Sequence, residues 1–220
     1  MQRSHRNRTR NRLIGAGLAV VLVVAMIVST KFFTPEELAE ALPKPFDPAA
    51  VATELYEKAK TEMTANAKPL GEVVPAVQSD PKAAAEKYGA IAPNESTWVF
   101  PVTATGTVTE ASDESLRLKV DGVPDQTPVI VPLDTAIQGT VIRDAMGFKF
   151  ADAPGQTDYQ YVGDELKKLM QQSVQESVPD PASLKGKEVT VVGAISVQNN
   201  GAPQPKPKPV NVQPITIEVK

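Results

Sequence analysis

The stretch WVFPVTATGTVTE, residues 98–110, decides the fold of this chain. β-Branched and aromatic residues alternate there with small polar ones, which is typical of a strand with one buried face. Gly106 stands in the middle of the stretch, where a glycine indicates a bulge or a sharp bend. Because a bent strand can serve both halves of a closed sheet and so remove exposed edges, the pattern predicts a long barrel strand.

A second stretch of this kind, KEVTVVGAISV, occupies residues 187–197 and has Gly193 in its interior. A helix is predicted over residues 158–178, where apolar residues recur at helical spacing. Shorter strands are predicted at residues 116–120, 128–133, 140–150 and 212–219. Three to four strands, a helix and two more strands are the order of an OB-type barrel. A flat sheet of five or six strands with one helix packed across it is the alternative fold.

The sequence before residue 97 has a helical character. Asp47-Pro48 is the pattern of a helix start, because a capping side chain is followed by proline in the first turn. Asp80-Pro81 repeats this pattern, and Gly89 is expected to end the second helix. Thr34, which precedes a proline and two acids, is expected to begin a shorter helix by the same rule.

The first thirty residues predict a membrane anchor. Residues 1–12 contain five arginines and no acid, and residues 13–30 contain no charge. As a helix the uncharged run is roughly 27 Å long, close to the hydrocarbon thickness of a bilayer. Arginines on its N-terminal side favour a cytoplasmic N-terminus, so the C-terminal domain is expected outside the bacterial cytoplasmic membrane.

The expected fold class is therefore α+β, with four consecutive regions. They are a cytoplasmic basic segment (1–12), a transmembrane helix or signal anchor (13–30), a helical juxtamembrane stalk (31–96) and an OB-like β-barrel with one helix between strands (97–220). The N-terminal residues also fit a cleaved secretory signal, although the apolar run exceeds the usual core of about 7–15 residues. A bacterial lipobox is excluded, because it needs a cysteine and the chain has none.

Composition excludes several classes of function. After residue 30 the chain has 18 basic and 26 acidic residues, a net charge of −8 that argues against a nucleic-acid partner. The single histidine, His5, precedes the apolar run, and cysteine is absent. The outer domain therefore lacks the residues of a common zinc site or a Ser-His-Asp triad. We predict no cofactor, no metal and no catalysis, although paired carboxylates and a Ser-Lys dyad remain open.

Two adjacent charges, Arg143 and Asp144, are the main candidates for a ligand site. They lie in the apolar segment GTVIRDAMGF and would point to opposite faces of a strand. The guanidinium of Arg143 could then donate two parallel hydrogen bonds to a carboxylate or a pair of sugar hydroxyls. A structural salt bridge or a solvated turn is the alternative. Trp98 could stack on a sugar ring, or it could pack in the core.

Short motifs over most of the chain resemble domain-of-unknown-function family 2291, a bacterial family of predicted periplasmic lipoproteins. The motifs are Phe46-Asp47-Pro48, Asp80-Pro81 with Glu86-Lys87-Tyr88-Gly89, Phe100-Pro101-Val102 through Gly106, Gly139-Thr140 with Arg143-Asp144-Ala145 and Gly147-Phe148, and residues 180–187. The chain departs from the family in lacking the lipobox cysteine. It also has Gly155-Gln156 where relatives have an Asn-Gln pair, so the resemblance does not carry a shared polar contact over to this place. Gln156 and Trp98 are further candidates for contact with a ligand held by Arg143 and Asp144.

The resemblance implies a location outside the cytoplasmic membrane and no known activity. Members are often encoded beside sugar ABC importers, so components of such an importer are the implied partners. We therefore expect a membrane-anchored binding or accessory protein that assists carbohydrate import. A carboxylate-dependent glycan hydrolase is one alternative, and it requires two acids about 5–9 Å apart in a cleft. A scaffold for a membrane complex is another, and it requires an exposed apolar patch on the upstream helices.

Overall fold

The computed structural model describes residues 3–31, 34, 37, 45–198 and 208–220, with backbone alone for residues 3–13. The chain divides into two compact units, Met1–Pro45 and Phe46–Lys220. The sequence predicts a domain boundary at residue 97. The helices of residues 46–96 therefore belong to the same unit as the sheet, because their apolar faces are buried in a core shared with it.

The first unit contains helix α1, Arg3–Ser29. After it, Thr34 and Glu37 form a capping box, in which the Thr34 N–H donates to Glu37 Oε2 (2.9 Å) and the Glu37 N–H donates to Thr34 Oγ1 (3.2 Å). This pair confirms the helix start expected at Thr34, whereas most of the helix itself lies outside the described residues. In the part of the chain that the structure describes, no helix has both the length and the apolar character needed to cross a membrane.

Helix α2, Pro48–Asn66, opens the second unit. Asp47 caps it by accepting hydrogen bonds from the backbone N–H groups of Ala49 and Ala50, as the sequence predicts. Its buried residues recur every three or four positions and form one apolar face: Ala52, Tyr56, Ala59 and Met63. The Tyr56 hydroxyl donates to the Ile215 carbonyl oxygen (3.3 Å), which ties this face to the sheet.

Two further helices follow, α3 (Leu70–Ser79) and α4 (Pro81–Tyr88). The sequence patterns assign no element to α3, which contains Pro75 and buries Leu70, Val73, Val74 and Val77. Helix α4 is as predicted: Asp80 caps its start, and Gly89 ends it in the left-handed conformation (φ 68°).

The sheet has eight strands: β1 (Lys68–Pro69), β2 (Ile91–Asn94), β3 (Thr97–Ala111), β4 (Ser115–Val120), β5 (Val129–Pro132), β6 (Glu188–Gln198), β7 (Val210–Asn211) and β8 (Gln213–Val219). The main order is β7-β5-β4-β3-β6-β8, and β1 and β2 pair with β3. The two stretches predicted as long strands are neighbours in the sheet, because β3 pairs antiparallel with β6 along the whole of β6.

Both glycines predicted in the long strands lie at points of close backbone approach. A side chain at Gly106 would collide with the Lys119 carbonyl oxygen on β4, and one at Gly193 would collide with the Gln213 carbonyl oxygen on β8. The pairing of β6 with β8 shifts register between Val192 and Gly193. Here the sheet bends, and it curls into a partial barrel.

Residues 210–219 form both ends of the main strand order, as β7 and β8. Strand β7 runs parallel to β5, and β8 runs antiparallel to β6. Between them the Val212 N–H donates to the Ile130 carbonyl oxygen on β5 (2.9 Å). The mixed α+β class and the curled sheet agree with the expected fold.

The strand predicted at residues 140–150 is wrong. The chain forms helix α5 (Gly139–Ala145) and a 3₁₀ turn (Phe150–Asp152) before helix α6 (Gln156–Ser177), and another 3₁₀ turn (Pro181–Leu184) precedes β6. The run Thr140-Val141-Ile142 has a β preference, but packing outweighs it. Val141, Ile142 and Ala145 are buried at helical spacing. A side chain at Gly139 would meet the Gly163 carbonyl oxygen, so glycine lets α5 lie against α6.

Candidate functional site

Arg143 and Asp144 lie at the end of α5 and bind each other. The Arg143 Nε and Nη2 groups both donate to Asp144 Oδ1, at 3.0 and 2.8 Å. Arg143 Nη1 donates to the Tyr159 carbonyl oxygen on α6 (3.0 Å). The two side chains are only 8% and 17% exposed. The expectation that they point to opposite faces fails, because neighbouring side chains on a helix turn lie closer together than on a strand.

Tyr159 is the residue of this cluster that the sequence reasoning missed. The Arg143 guanidinium carbon lies 3.6 Å from the centre of the Tyr159 ring, a cation–π geometry. Phe148 stacks on the same ring with centroids 6.0 Å apart, and Phe150 meets it edge-on at 5.7 Å. The Tyr159 hydroxyl donates to Asp144 Oδ1 (3.4 Å). The guanidinium is thus surrounded by partners within its own domain.

Electrostatics at this cluster follow from burial. Burial raises the pKa of the Tyr159 phenol above its ordinary value of 10.0, and the charge of Asp144 raises it further, whereas Arg143 opposes the shift. The phenol therefore stays protonated as a donor across the neutral range. The contacts of Arg143 and Asp144 with Tyr159 join the end of α5 to α6.

Trp98 and Gln156 take no part in the described contacts of this pair. Trp98 is half-buried on β3, in register with Val197 on β6. Gln156 is exposed as the first residue of α6. Among the described residues, neither has a hydrogen bond to Arg143 or Asp144.

A cavity of about 440 Å³ lies between α3, the start of α5 and strands β6–β8. Its volume is in the range of small-molecule sites. Its apolar wall is formed by Val74, Val77, Val141, Ile195, Val197 and Val210. Its uncharged polar wall is formed by Gln78, Gln138, Ser196, Gln198, Asn211 and Gln213.

Hydrogen bonds fix the amide groups of this wall. Gln213 is only 3% exposed, and its Oε1 accepts the backbone N–H of Gln138 (2.8 Å). Gln78 Nε2 donates to the hydroxyl of Thr127 (2.9 Å), which is itself buried. Because each bond holds one end of an amide, the groups are oriented before any ligand arrives.

The charge of the cavity wall is low. Among its described lining residues Lys208 carries the sole charge, and none is an acid. Apolar side chains with a few oriented polar groups are the common composition of a small-molecule site. No sequence pattern predicts this cavity, because Gln138 and Gln213 are 75 positions apart and meet only in the folded domain.

A second cavity, of about 350 Å³, lies where the end of α2 meets α4, β2 and the loop after α5. Glu62 is the one acid among its described lining residues, which also include Lys68 and Tyr88. Neither described cavity lining thus contains the pair of carboxylates that the hydrolase alternative needs. Nor does the described part of the chain contain three or more His, Cys, Asp or Glu residues grouped to hold a metal.

The described helices between residues 46 and 96 expose no large apolar side chain of the kind that a scaffold needs. Among the described residues after α1, the large hydrophobic side chains that are exposed are Phe150, Tyr161 and Val219. None of these lies on α2, α3 or α4, whose large apolar residues are buried in the core or packed against it. The described residues therefore offer no apolar docking patch on those helices.

Comparison with solved structures supports the expected architecture. The fold is similar to the crystal structure of an OB-fold protein from Thermotoga maritima, with a TM-score of 0.65 and 22% sequence identity. The alignment covers 80% of this chain and all of the other. At this identity the similarity concerns the fold alone.

Comparison of sequences places the chain in a family. No curated protein has a significantly similar sequence. The model of the family described as predicted periplasmic lipoprotein (DUF2291) matches residues 19–218, which is most of the chain. The chain therefore belongs to this family of predicted periplasmic lipoproteins, as the motifs from Phe46 to Lys187 indicated.

Proposed function

We propose that this protein is a membrane-anchored, extracytoplasmic binding module, and that the cavity between α3 and strands β6–β8 is its ligand site. The observation that carries the proposal is that cavity, with about 440 Å³ and oriented side-chain amides on an apolar wall. Oriented amides can bind hydroxyl or amide groups of a small molecule without first losing conformational freedom.

The cavity is a better candidate than the pair Arg143–Asp144. The guanidinium of Arg143 already donates to a carboxylate and a carbonyl oxygen and packs on Tyr159. A ligand would have to replace these buried contacts, and an uncompensated buried charge would result. The cavity wall, in contrast, would lose only water.

Family membership supports an extracytoplasmic, membrane-associated location. We propose that residues 13–30 supply the attachment as an uncleaved transmembrane helix, because the chain has no cysteine to carry a lipid. Intact-mass measurement of the full chain extracted from bacterial membranes tests this. The expected mass includes residues 1–30 and no lipid, and a mass that lacks them would mean a cleaved signal.

The ligand site is tested by filling the cavity. Val77 lines it from α3 and is nearly buried. In Val77→Phe the larger ring should occupy part of the volume and exclude the ligand. The measurement is native mass spectrometry of the full chain in detergent, which detects a small molecule that copurifies with the protein.

Val219→Phe is the matched control, because Val219 is exposed and lies outside the cavity lining. We expect the same bound molecule in the unchanged protein and in this control, and none in Val77→Phe. A molecule that remains bound to Val77→Phe, or none in any of the three, would contradict the proposal. The assistance to carbohydrate import remains a prediction, and a bound sugar would favour it.

A further inference from the structure

We infer that the ligand of this cavity is a small hydroxy acid with a single carboxylate, which binds at Lys208. The inference rests on the proposed function, since it names the chemical class that the same cavity accepts. Three observations lead to it: the sign and number of the charges in the wall, the orientation of two amides, and the apolar wall opposite them.

The charges of the wall select for a single negative charge. After residue 30 the chain has 26 acidic residues against 18 basic ones, yet no acid is among the described lining residues of this cavity. The one charged residue there is the cation Lys208. Among the described lining residues a carboxylate would meet one opposite charge and no like charge, whereas a cation would be repelled and a dianion would find no second cation there.

The amides provide polar contacts that carry no charge. Gln213 commits its oxygen to the Gln138 N–H, so the amide nitrogen is the end left with donor capacity toward a ligand. Gln78 commits its nitrogen to Thr127, so its oxygen is the end that can accept. A donor and an acceptor held in one cavity suit hydroxyl groups, which both donate and accept.

The apolar wall limits how polar the ligand can be. Val74, Val77 and Val141 line the same cavity. They favour a ligand whose carbon backbone contacts them while its hydroxyl groups face the amides. The arrangement fits a chain or ring of a few carbons with a carboxylate at one end, and fits a free inorganic anion poorly.

The test uses two probes that differ in one group. Gluconate and glucitol have the same carbon chain, but gluconate has a carboxylate where glucitol has a hydroxymethyl group. Isothermal titration calorimetry on the full chain in detergent should give gluconate about tenfold tighter binding than glucitol, because a charge-assisted hydrogen bond is the stronger one. Added salt should weaken gluconate binding only.

Variants assign the charge to one residue. Lys208→Gln should reduce gluconate affinity to that of glucitol, and Lys208→Arg should preserve most of it. Lys185→Gln removes the same charge from an exposed lysine outside the cavity lining and should leave both affinities unchanged. Equal affinity for the two probes, absence of gluconate binding, or an unchanged affinity in Lys208→Gln would overturn the inference.

The inference and the proposed function can fail separately. A neutral molecule that copurifies with the unchanged protein and is lost in Val77→Phe would leave the ligand site in place and would overturn the assignment of a carboxylate. Retention of the copurified molecule by Val77→Phe would remove the site itself.

Discussion

Two regions of the second unit contrast in how their polar groups are used. In the cluster around Arg143, opposite charges and an aromatic ring satisfy one another inside the domain. In the cavity beside β6, the neutral amides of Gln78 and Gln213 are held in place at one end, and Lys208 is the one charged residue among the described lining residues. A buried charge must be paired for the domain to fold. A charged residue within an apolar stretch of sequence therefore indicates a structural ion pair as readily as a ligand site.

Removal of Arg143 should give the largest effect on stability and little effect on the cavity. Arg143→Ala leaves Asp144 nearly buried without its partner, which should cost about 3 kcal/mol of unfolding free energy. For a domain of this size that is a fall of about 6–12 °C in the melting temperature. Thermal unfolding and probe binding are measured on the same sample.

The opposite result would reverse the comparison. If Arg143→Ala removed binding of the copurified molecule without lowering the melting temperature, the charged pair would be the ligand site. Arg117→Ala is the control, because Arg117 also pairs with an acid, Glu110, but on the exposed surface. Its loss should cost less than about 1 kcal/mol.

The close contact of α5 with α6 should give the next largest effect. In Gly139→Ala the added methyl group would meet the backbone of Gly163 and Lys167, so the helices must separate. The expected cost is about 2 kcal/mol in denaturant unfolding. Gly155→Ala is the control, since a side chain there meets no atom within 4 Å. Equal costs in the two variants would show that α5 packs less closely than described.

Gln213 should affect the cavity more than the fold. Gln213→Leu removes the acceptor of the Gln138 N–H and should cost about 1–2 kcal/mol of unfolding free energy. It should also remove the copurified molecule, because the amide that faces the ligand is lost. Gln172→Leu changes an exposed amide on α6 and serves as the control. Ligand retention by Gln213→Leu would exclude this amide from the site.

The smallest expected effect depends on pH. The pKa of Tyr159 is raised in the folded state, so the unfolded chain releases this proton first as the pH passes 10.0. The stability that the neutral phenol contributes is therefore complete below pH 10.0 and declines above it. In Tyr159→Phe the unfolding free energy should therefore fall less between pH 9 and pH 11, roughly the range around the reference pKa.

The parts of the fold that local chemistry determines could be predicted from the sequence. Asp47 and Asp80 cap their helices as expected, and Gly89 ends α4. Gly106 and Gly193 mark the close approaches of the long strands. In each case the side chain, or its absence, acts on backbone within a few residues or on the neighbouring strand.

Features that depend on distant contacts could not be predicted. The β-branched run before Arg143 forms a helix because Gly139 allows it to pack on α6, and no local pattern contains that information. The cavity could not be predicted for the same reason, since its hydrogen-bonded amide groups come from α3, the loop before α5 and β8. The charged pair Arg143 and Asp144 stands out in an apolar segment of the sequence, whereas no local pattern marks the cavity amides of Gln78 and Gln213.

The segment 210–219 has a consequence for biogenesis. Its two strands hydrogen-bond to β5 and to β6, so these sides of β5 and β6 stay without their partner strands until residues 210–219 have been synthesised. A nascent chain without residues 210–219 cannot complete the sheet, although its helices and the β3–β6 pair have already been synthesised. If the chain is exported through a narrow translocon, the late position of these two strands delays folding of the domain. The chain then stays unfolded enough to pass until almost all of it has crossed.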